Sequence, residues 1–327
     1  MRRGIQTDYR LKYSAASPKL FHIVLMTIYQ DDMNVVFNSI DSLSRQTEAK
    51  RIIMVIAYES RTPDREQRQA SLEERYRNSF ANLLFTIHPV LDHEIASHAA
   101  NCNWSLREVV KLLFIDEGHT NAKEFTVTTT DCDCLFHEKY FEALSADYLQ
   151  MLEKNDWYAH HTIWQPPLFY NWNLDKSSFI TRVTGLVRSI MTMGMLIPYN
   201  INPMSTFSFS LTLAIRSEYW HPQMFVDDVG FLITSMSATG ERIRVRGLPV
   251  PVRSGPTSGE TWSKDIKEWF IQVRRWGLAG PVVVAYCFVY FWAYHILAIR
   301  GKGVCVHRVA GKANLGETIA KINASVH

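Results

Sequence analysis

The sequence predicts an α/β fold in which a mostly parallel central sheet is flanked by helices. Over the first 130 residues, short apolar runs of strand length alternate with amphipathic helices. The chain opens as strand, helix, strand, which is typical of a parallel strand pair joined by a crossover helix. Ligands of such sheets bind beyond the carboxyl ends of the strands, and two carboxylates directly follow the strand that ends at Thr130.

The first half of the chain supplies most of the predicted sheet. The predicted strands of this half cover residues 21–27, 51–58, 83–90 and 127–130. Asp31 or Asp32 can cap the helix after the first strand, in which Val36, Ile40 and Leu43 share one face. The predicted helices after the second and third strands cover residues 65–80 and 101–114.

The second half of the chain differs from the first in composition and pattern. Further strands are predicted at 157–164, 207–215 and 243–252, and helices at 229–238 and from Trp262 onwards. Residues 168–199 are rich in aromatic side chains and Met. This segment predicts either an amphipathic helix that lies on a membrane or a helix that faces the core.

The chain ends carry different predictions. Residues 1–20 are polar and basic, and we expect a flexible lead-in. Residues 281–299 are apolar over about 19 positions, close to the minimum that crosses a bilayer. We therefore expect a membrane or interfacial helix over 280–300, with a buried core helix as the alternative, and a polar tail over 301–327.

Composition narrows the classes of function. The 327 residues are 47% hydrophobic and 20% charged, as in a globular protein with a sizeable core. The net charge of +3 is spread along the chain, so we expect no nucleic-acid partner but allow a weak attraction to anionic membrane. Nine Trp suit a sugar-binding cleft or a membrane interface. Five scattered cysteines indicate a reducing compartment.

Three polar features suggest chemistry. Asp131 and Asp133 suit a hard divalent cation, which takes oxygen ligands. A zinc cluster built on Cys132, Cys134 and His137 is the alternative for the same stretch. The other two features are an acidic pair and a basic, aromatic helix run. They consist of Asp227 with Asp228, and of Gln272 with Arg275 and Trp276.

In this order, the three features resemble the motifs of the family-2 glycosyltransferases, the inverting group of GT-A fold that includes cellulose, chitin and hyaluronan synthases. That family carries Asp-x-Asp at a strand end, then an acidic pair, then Gln-x-x-Arg-Trp. The resemblance covers roughly residues 20–280. It implies a catalytic domain over 21–279, with a nucleotide-sugar half over 21–135 and an acceptor half over 136–279. The apolar segment after it is similar to the membrane-bound, synthase-like branch.

The resemblance also implies a mechanism. Asp133, with Asp131, would ligate Mg²⁺ or Mn²⁺ against the diphosphate of a nucleotide-sugar, most often a UDP-sugar. Asp228 would be the general base for the acceptor hydroxyl, and Asp227 beside it would help to raise the basicity of Asp228, since adjacent like charges disfavour ionisation of both. One displacement then gives a β-linked product. The expected donor-binding residues are Tyr29, Glu59, Asn101 and Asp131, and the expected acceptor or diphosphate contacts are Gln272, Arg275 and Trp276.

Departures from the family pattern leave several readings open. Glu59 stands where the family has an Asp that contacts the base, and Tyr29 lies in a first loop of unusual sequence. Polysaccharide synthesis is the first expectation. Single transfer to a lipid or protein acceptor, and a catalytically inactive membrane-associated binding module, are the alternatives. We expect a membrane-associated protein whose catalytic domain faces the cytoplasm. The expected acceptor of the enzyme is a glycan or a lipid.

Overall fold

A seven-stranded sheet organises the computed structural model, which describes residues 2–9, 20–91, 94–172, 177–221, 226–255 and 262–274. The strands are β1 (Phe21–Ile28), β2 (Ile52–Glu59), β3 (Asn82–His88), β4 (Phe125–Thr130), β5 (Cys134–Phe136), β6 (Thr162–Gln165), β7 (Leu168–Tyr170), β8 (Phe207–Ser210), β9 (Arg244–Gly247) and β10 (Val252–Ser254). The large sheet has the order β3-β2-β1-β4-β8-β6-β9, and a small sheet has the order β5-β10-β7.

Helices cover both faces of the large sheet. They are α1 (Arg2–Gln6), α2 (Met33–Ser44), α3 (Arg65–Tyr76), α4 (His98–Lys111), α5 (Tyr140–Lys154), α6 (Asp156–Ala159), α7 (Phe179–Met191), α8 (Leu211–Arg216), α9 (Asp228–Thr239) and α10 (262–274). Single π-helical turns, Leu112–Asp116 and Thr192–Leu196, extend α4 and α7. The predicted α/β fold with a mainly parallel, helix-flanked sheet is confirmed.

Burial explains why the apolar runs of the first half become strands. Alternate side chains of β1 feed two cores, with Val24 in the core beneath α2 and α5 and Ile23 in the core beneath α4. All eight residues of β2 are buried, as expected for a strand covered on both faces. Asp32 caps α2 as predicted, because its side chain accepts a hydrogen bond from the backbone N–H of Asn34.

Two predicted strands of the second half are only partly correct. The strand expected over 207–215 ends at Ser210, whose side chain accepts a hydrogen bond from Leu213 N and starts α8. Its four residues are all buried, so it is not the half-buried strand that the alternation suggested. The strand expected over 157–164 begins only at Thr162, since the Asn155 side chain caps the short helix α6 before it.

Strand direction determines what lies at the carboxyl edge of the sheet. β8 runs antiparallel to both of its neighbours, β4 and β6, and its first residue Phe207 pairs with Thr129. The loop before β8 therefore meets the end of β4. In the small sheet, Ser254 pairs with Cys134 on one side and with Tyr170 on the other, which sets these three residues in one row.

The chain ends are described only in part. Within the expected lead-in, Tyr9 is buried and Gly4 packs so closely on Pro249 that a Cβ at Gly4 would lie 2.2 Å from the Pro249 carbonyl oxygen. Within the described part of the chain, none of the helices has the length and hydropathy that a transmembrane span requires. The segments predicted over 280–300 and 301–327 lie outside the described residues.

Buried His22 makes stability depend on pH. Its Nδ1 lies 2.6 Å from Thr126 Oγ1 and its Nε2 lies 3.0 Å from Ser145 Oγ. Burial, aided by the charge of Arg51, lowers the pKa of His22 to about 3. The ring is therefore neutral in the folded chain, and the unfolded chain binds the extra proton below its ordinary pKa of about 6.5.

We expect the free energy of unfolding to fall as the pH drops from about 6.5 towards 3, with a slope of up to about 1.4 kcal/mol per pH unit from His22. His22→Gln should reduce this slope whatever it does to the absolute stability. His221→Gln, the same substitution at an exposed position, is the matched control. Urea unfolding between pH 4.5 and 7.5 measures both, and equal slopes for His22→Gln and the parent chain would contradict the assignment.

Candidate active site

Four carboxylates from two segments converge at the carboxyl edge of the large sheet. Asp131 and Asp133 follow β4, while Asp227 and Asp228 lie at the N-terminus of α9. Ser205, in the loop before β8, joins the two segments. Its Oγ donates a hydrogen bond of 2.5 Å to Asp131 Oδ2, and its backbone N–H donates one of 3.2 Å to Asp228 Oδ2.

The bridge holds Ser205 in a backbone conformation that side chains avoid. Its φ is +56°, in the left-handed region. Such a conformation costs of order 1–3 kcal/mol and persists only where the surrounding structure fixes it. It lets the N–H and the hydroxyl of one residue point to carboxylates from two different segments.

His98 forms a second bridge between the same two segments. Its Nδ1 lies 3.1 Å from Asp227 Oδ2, and its Nε2 lies 3.8 Å from Asp131 Oδ1. Burial opposes protonation, but interactions with Cys102 and Asp227 raise the pKa of His98 well above its usual range. His98 therefore supplies a positive charge between the two acidic pairs.

The pKa values of the acidic pair at α9 move apart. Burial acts against ionisation of Asp227, but the His98 charge outweighs it and lowers the pKa of Asp227 below its ordinary value. For Asp228, burial and the neighbouring Asp227 charge raise the pKa. The two pKa values differ because His98 contacts Asp227 and stabilises its charge, whereas Asp228 has the Asp227 charge beside it.

Asp133 lies in an enclosed setting built by the small sheet. Its backbone carbonyl accepts hydrogen bonds from Trp172 Nε1 (2.6 Å) and Gly255 N (3.1 Å), and Ser254 Oγ lies 3.4 Å from its Oδ1. A Cβ at Gly255 would come within 3.3 Å of Asp133 Oδ2, so a side chain there would crowd the carboxylate. Burial and the Asp131 charge raise the pKa of Asp133.

The donor set around Asp133 fits a hard divalent cation. Among the described residues, the ligand atoms of Asp131, Asp133 and Cys134 lie within 4.8 Å of one another. Burial and both Asp charges raise the pKa of the Cys134 thiol well above its usual range, which leaves two carboxylates as the anionic ligands. Carboxylate oxygens suit Mg²⁺ or Mn²⁺, whereas the predicted zinc cluster also needs Cys132 and His137, which do not join this group.

Arg188 brings a second positive charge to the site from α7. Its guanidinium carbon lies 3.9 Å from the centre of the Tyr170 ring, and Tyr170 is the end of the row that contains Ser254 and Cys134. The Arg188 charge partly offsets the raised pKa values of Asp133 and Asp228. A cation at this position can bind phosphate oxygens.

The predicted donor residues lie where the first two strands end. Asn101 is buried, and its Nδ2 donates to the Ala57 carbonyl at 3.1 Å, while its Oδ1 has no hydrogen-bond partner. Glu59 pairs with Arg61 at 2.6 Å, and the Arg61 guanidinium lies 5.7 Å from the centre of the half-exposed Tyr29 ring. Tyr29 and Arg61 form the exposed part of a polar rim, and Glu59 and Asn101 are buried next to it.

The third motif is only partly described. Gln272 is half-buried on α10, whereas Arg275 and Trp276 lie outside the described residues. α10 contacts α7, since Trp269 Nε1 donates to Thr184 Oγ1 at 2.8 Å. The roles predicted for Gln272, Arg275 and Trp276 stay predictions.

Three site residues were not predicted from the sequence: His98, Ser205 and Arg188. His98 had a usable signal, because Ser97 before it accepts a hydrogen bond from Ala100 N and starts α4 one turn earlier than predicted. Ser205 reaches the site through antiparallel pairing of β8 with β4, and Arg188 through the small sheet. Neither arrangement has a local sequence signature.

Comparisons with known proteins give distant structural similarities. The chain matches no protein-family model, and no curated protein matches it significantly. It is similar to the crystal structure of S. aureus TarS 1–349 in complex with UDP-GlcNAc, with 14% identity, a TM-score of 0.43, and coverage of 74% of this chain and 60% of that one. TarS 1–349 without a named ligand gives 13% identity, a TM-score of 0.43, and coverage of 72% and 60%.

A third similarity extends over nearly the whole chain. The mannosyltransferase PcManGT from Pyrobaculum calidifontis, in complex with GDP-Man and Mn²⁺, has 12% identity and a TM-score of 0.48, with coverage of 99% of this chain and 91% of that one. Because each of these TM-scores is below 0.5, the function proposed below rests on the residues of the site itself.

We expect the full chain to bind Mn²⁺ through Asp133. Asp133→Asn should weaken this binding at least about tenfold, because it removes one of two anionic ligands. Cys134→Ser should leave it within about threefold, since the thiol is protonated. Exposed Asp156→Asn, which removes a carboxylate paired with Lys123, is the matched control. Calorimetric titration with Mn²⁺ and Zn²⁺ checks the set; a loss of binding in Cys134→Ser would instead support a thiolate site.

Proposed function

We propose that this chain is a metal-dependent glycosyltransferase of GT-A type that moves a sugar from a nucleotide-sugar, a UDP-sugar, to an acceptor hydroxyl with inversion. The observation that carries the proposal is the Ser205 bridge between Asp131 and Asp228. It sets the carboxylate pair that would hold the cation beside a half-buried carboxylate of raised pKa. Such a pairing suits a reaction in which a diphosphate leaves while a hydroxyl loses its proton.

Asp131 and Asp133 would hold Mg²⁺ or Mn²⁺. When bound, this cation would offset the negative charge that develops on the leaving diphosphate. Arg188 would contact the same phosphates from the α7 side. The crowded carboxylates favour this arrangement, because burial and the Asp131 charge raise the pKa of Asp133 and a cation would offset both effects.

Asp228 would act as the general base. The acceptor oxygen attacks the anomeric carbon, the bond from that carbon to the diphosphate oxygen breaks, and the acceptor proton passes to Asp228. The electron pair leaves with the nucleoside diphosphate. Asp227 would remain ionised beside His98 and would keep the pKa of Asp228 raised, which makes Asp228 a stronger base than a free carboxylate.

Donor recognition would use the rim at the ends of β1 and β2. Asn101 would support the donor side from α4, since its Nδ2 donates to the Ala57 carbonyl of β2. Tyr29 would stack on the base, and Glu59 would contact the base or hold Arg61 in place. Gln272, Arg275 and Trp276 would hold the acceptor or the diphosphate.

For the acceptor and the product, we propose two possibilities. Polysaccharide synthesis and single transfer to a lipid or protein acceptor both fit a membrane-associated enzyme whose catalytic domain faces the cytoplasm. A membrane-associated binding module without activity would bind a UDP-sugar and release no UDP. A screen of UDP-sugars for UDP release, with Mg²⁺, Mn²⁺ or chelator, separates the enzyme from the binding module.

With the donor that this screen identifies, Asp228→Asn should reduce the rate of UDP release at least about 100-fold, because the acceptor proton loses its destination. The same variant should bind UDP and Mn²⁺ as the parent chain does. Asp156→Asn again serves as the control. Steady-state UDP release and calorimetry give both readouts. If folded Asp228→Asn keeps full activity, the base has been misassigned.

Arg188→Ala should weaken UDP binding about tenfold and leave uridine binding unchanged, because only UDP carries the phosphates that a cation attracts. Arg182→Ala is the matched control, since Arg182 lies on the same helix and its Nε donates to the Ser177 carbonyl. Calorimetry with UDP and uridine, with and without Mn²⁺, gives the comparison. Equal losses for both ligands would show that Arg188 supports the fold and does not bind phosphate.

A further inference from the structure

The outer face of α7 carries a continuous row of exposed apolar side chains. We name this row the apolar ridge. It consists of Phe179 (76% exposed), Val183 (43%), Leu186 (60%), Val187 (56%) and Ile190 (59%). The spacing of these positions sets them on one side of the helix. The expectation that a helix in this segment faces the core is therefore not met by α7.

The inner face of α7 is small and polar, whereas a helix on the surface of a soluble domain usually buries its large apolar residues. The residues it buries are Thr181, Gly185 and Ser189, which are small or polar. Gly185 packs so closely on Tyr170 that a Cβ there would lie 2.9 Å from the Tyr170 Cβ. Small residues inside and large apolar residues outside are typical of helices that contact lipid.

The neighbouring helix α10 follows the same rule. Its buried Asp265 accepts hydrogen bonds from Ser178 N and Thr181 Oγ1, at 2.8 and 2.9 Å, so polar groups lie between the two helices. Its exposed side chains include Trp262 (68%) and Phe270 (62%). Aromatic residues of this kind are enriched at membrane interfaces.

The charges around the ridge favour an anionic lipid surface over a second copy of the chain as its partner. The exposed charged residues of α7 and α10 are Arg182, Lys264, Lys267, Glu268 and Arg274, four basic against one acidic. A second copy docked on the same face would bring these like charges together. Anionic lipid headgroups would attract them. The described chain also ends on α10, seven residues before the apolar run at 281–299.

We propose that the apolar ridge of α7, together with the exposed aromatic residues of α10, lies in the surface of an anionic lipid bilayer. Large apolar side chains would enter the boundary between headgroups and acyl chains, and the basic side chains would contact the headgroups. Arg188 faces Tyr170 and the carboxylates, on the side of α7 opposite the apolar ridge. The ridge can therefore contact lipid whether or not the chain transfers a sugar.

The test reads lipid contact at single positions of the full chain. Cys287 and Cys305 are replaced by Ser so that the dye reacts only at the introduced cysteine. Cys102, Cys132 and Cys134 are buried and can stay. An environment-sensitive dye is then attached at Leu186→Cys or, as the matched control, at Trp157→Cys, an exposed aromatic position on α6. The chain is added to vesicles of phosphatidylcholine and phosphatidylglycerol whose acyl chains carry a spin-label quencher.

We expect quenching of the dye at position 186 and none at position 157. Adding Val183→Glu and Ile190→Glu should reduce quenching at 186 at least about tenfold while circular dichroism stays unchanged, because carboxylates resist burial among acyl chains. A shielded dye at 186 that lipid quenchers do not reach would overturn the proposal, and crosslinking would then assign the cover to a second copy or to residues 281–299. A failed UDP-sugar screen would leave this result intact.

Discussion

The crowding of four carboxylates at one edge of the sheet is the constraint on which the site depends. Asp131, Asp133, Asp227 and Asp228 are held together with two nearby positive charges, those of His98 and Arg188. Burial makes each further ionisation costly. The imbalance appears as raised pKa values at Asp133 and Asp228 and a lowered value at Asp227. A divalent cation at Asp133 would therefore relieve the donor side and leave Asp228 free to exchange a proton.

The fold brings these groups together through long-range pairing. β4 delivers Asp131 and Asp133, but Ser205 can join Asp131 to Asp228 only because β8 enters the sheet antiparallel. The left-handed backbone of Ser205 is then the local cost of that bridge. The small sheet brings Arg188 to the site. Its row of paired residues, Cys134, Ser254 and Tyr170, runs from the neighbour of Asp133 to the ring that Arg188 contacts.

This dependence on long-range pairing explains which parts of the fold and the site the sequence could predict. Strands of a parallel sheet are buried on both faces, so β1 and β2 are largely apolar runs that the sequence predicts to within a residue or two. The Asp131 and Asp133 pair was found because both residues follow one strand. His98 was missed because the start of α4 was predicted at Asn101, one turn late. Ser205 and Arg188 join the site through contacts between distant segments, which leave no local pattern.

The two faces of α7 connect the site to the proposed membrane surface. Arg188 lies towards Tyr170 and the carboxylates, whereas Leu186 and Ile190 point to the outside. A helix with its side chains is about 10–12 Å across. If the ridge lies in the headgroup region, the carboxylates lie roughly one helix diameter above it. Under the proposed function, an acceptor hydroxyl that extends by about this distance from the membrane surface would meet Asp228.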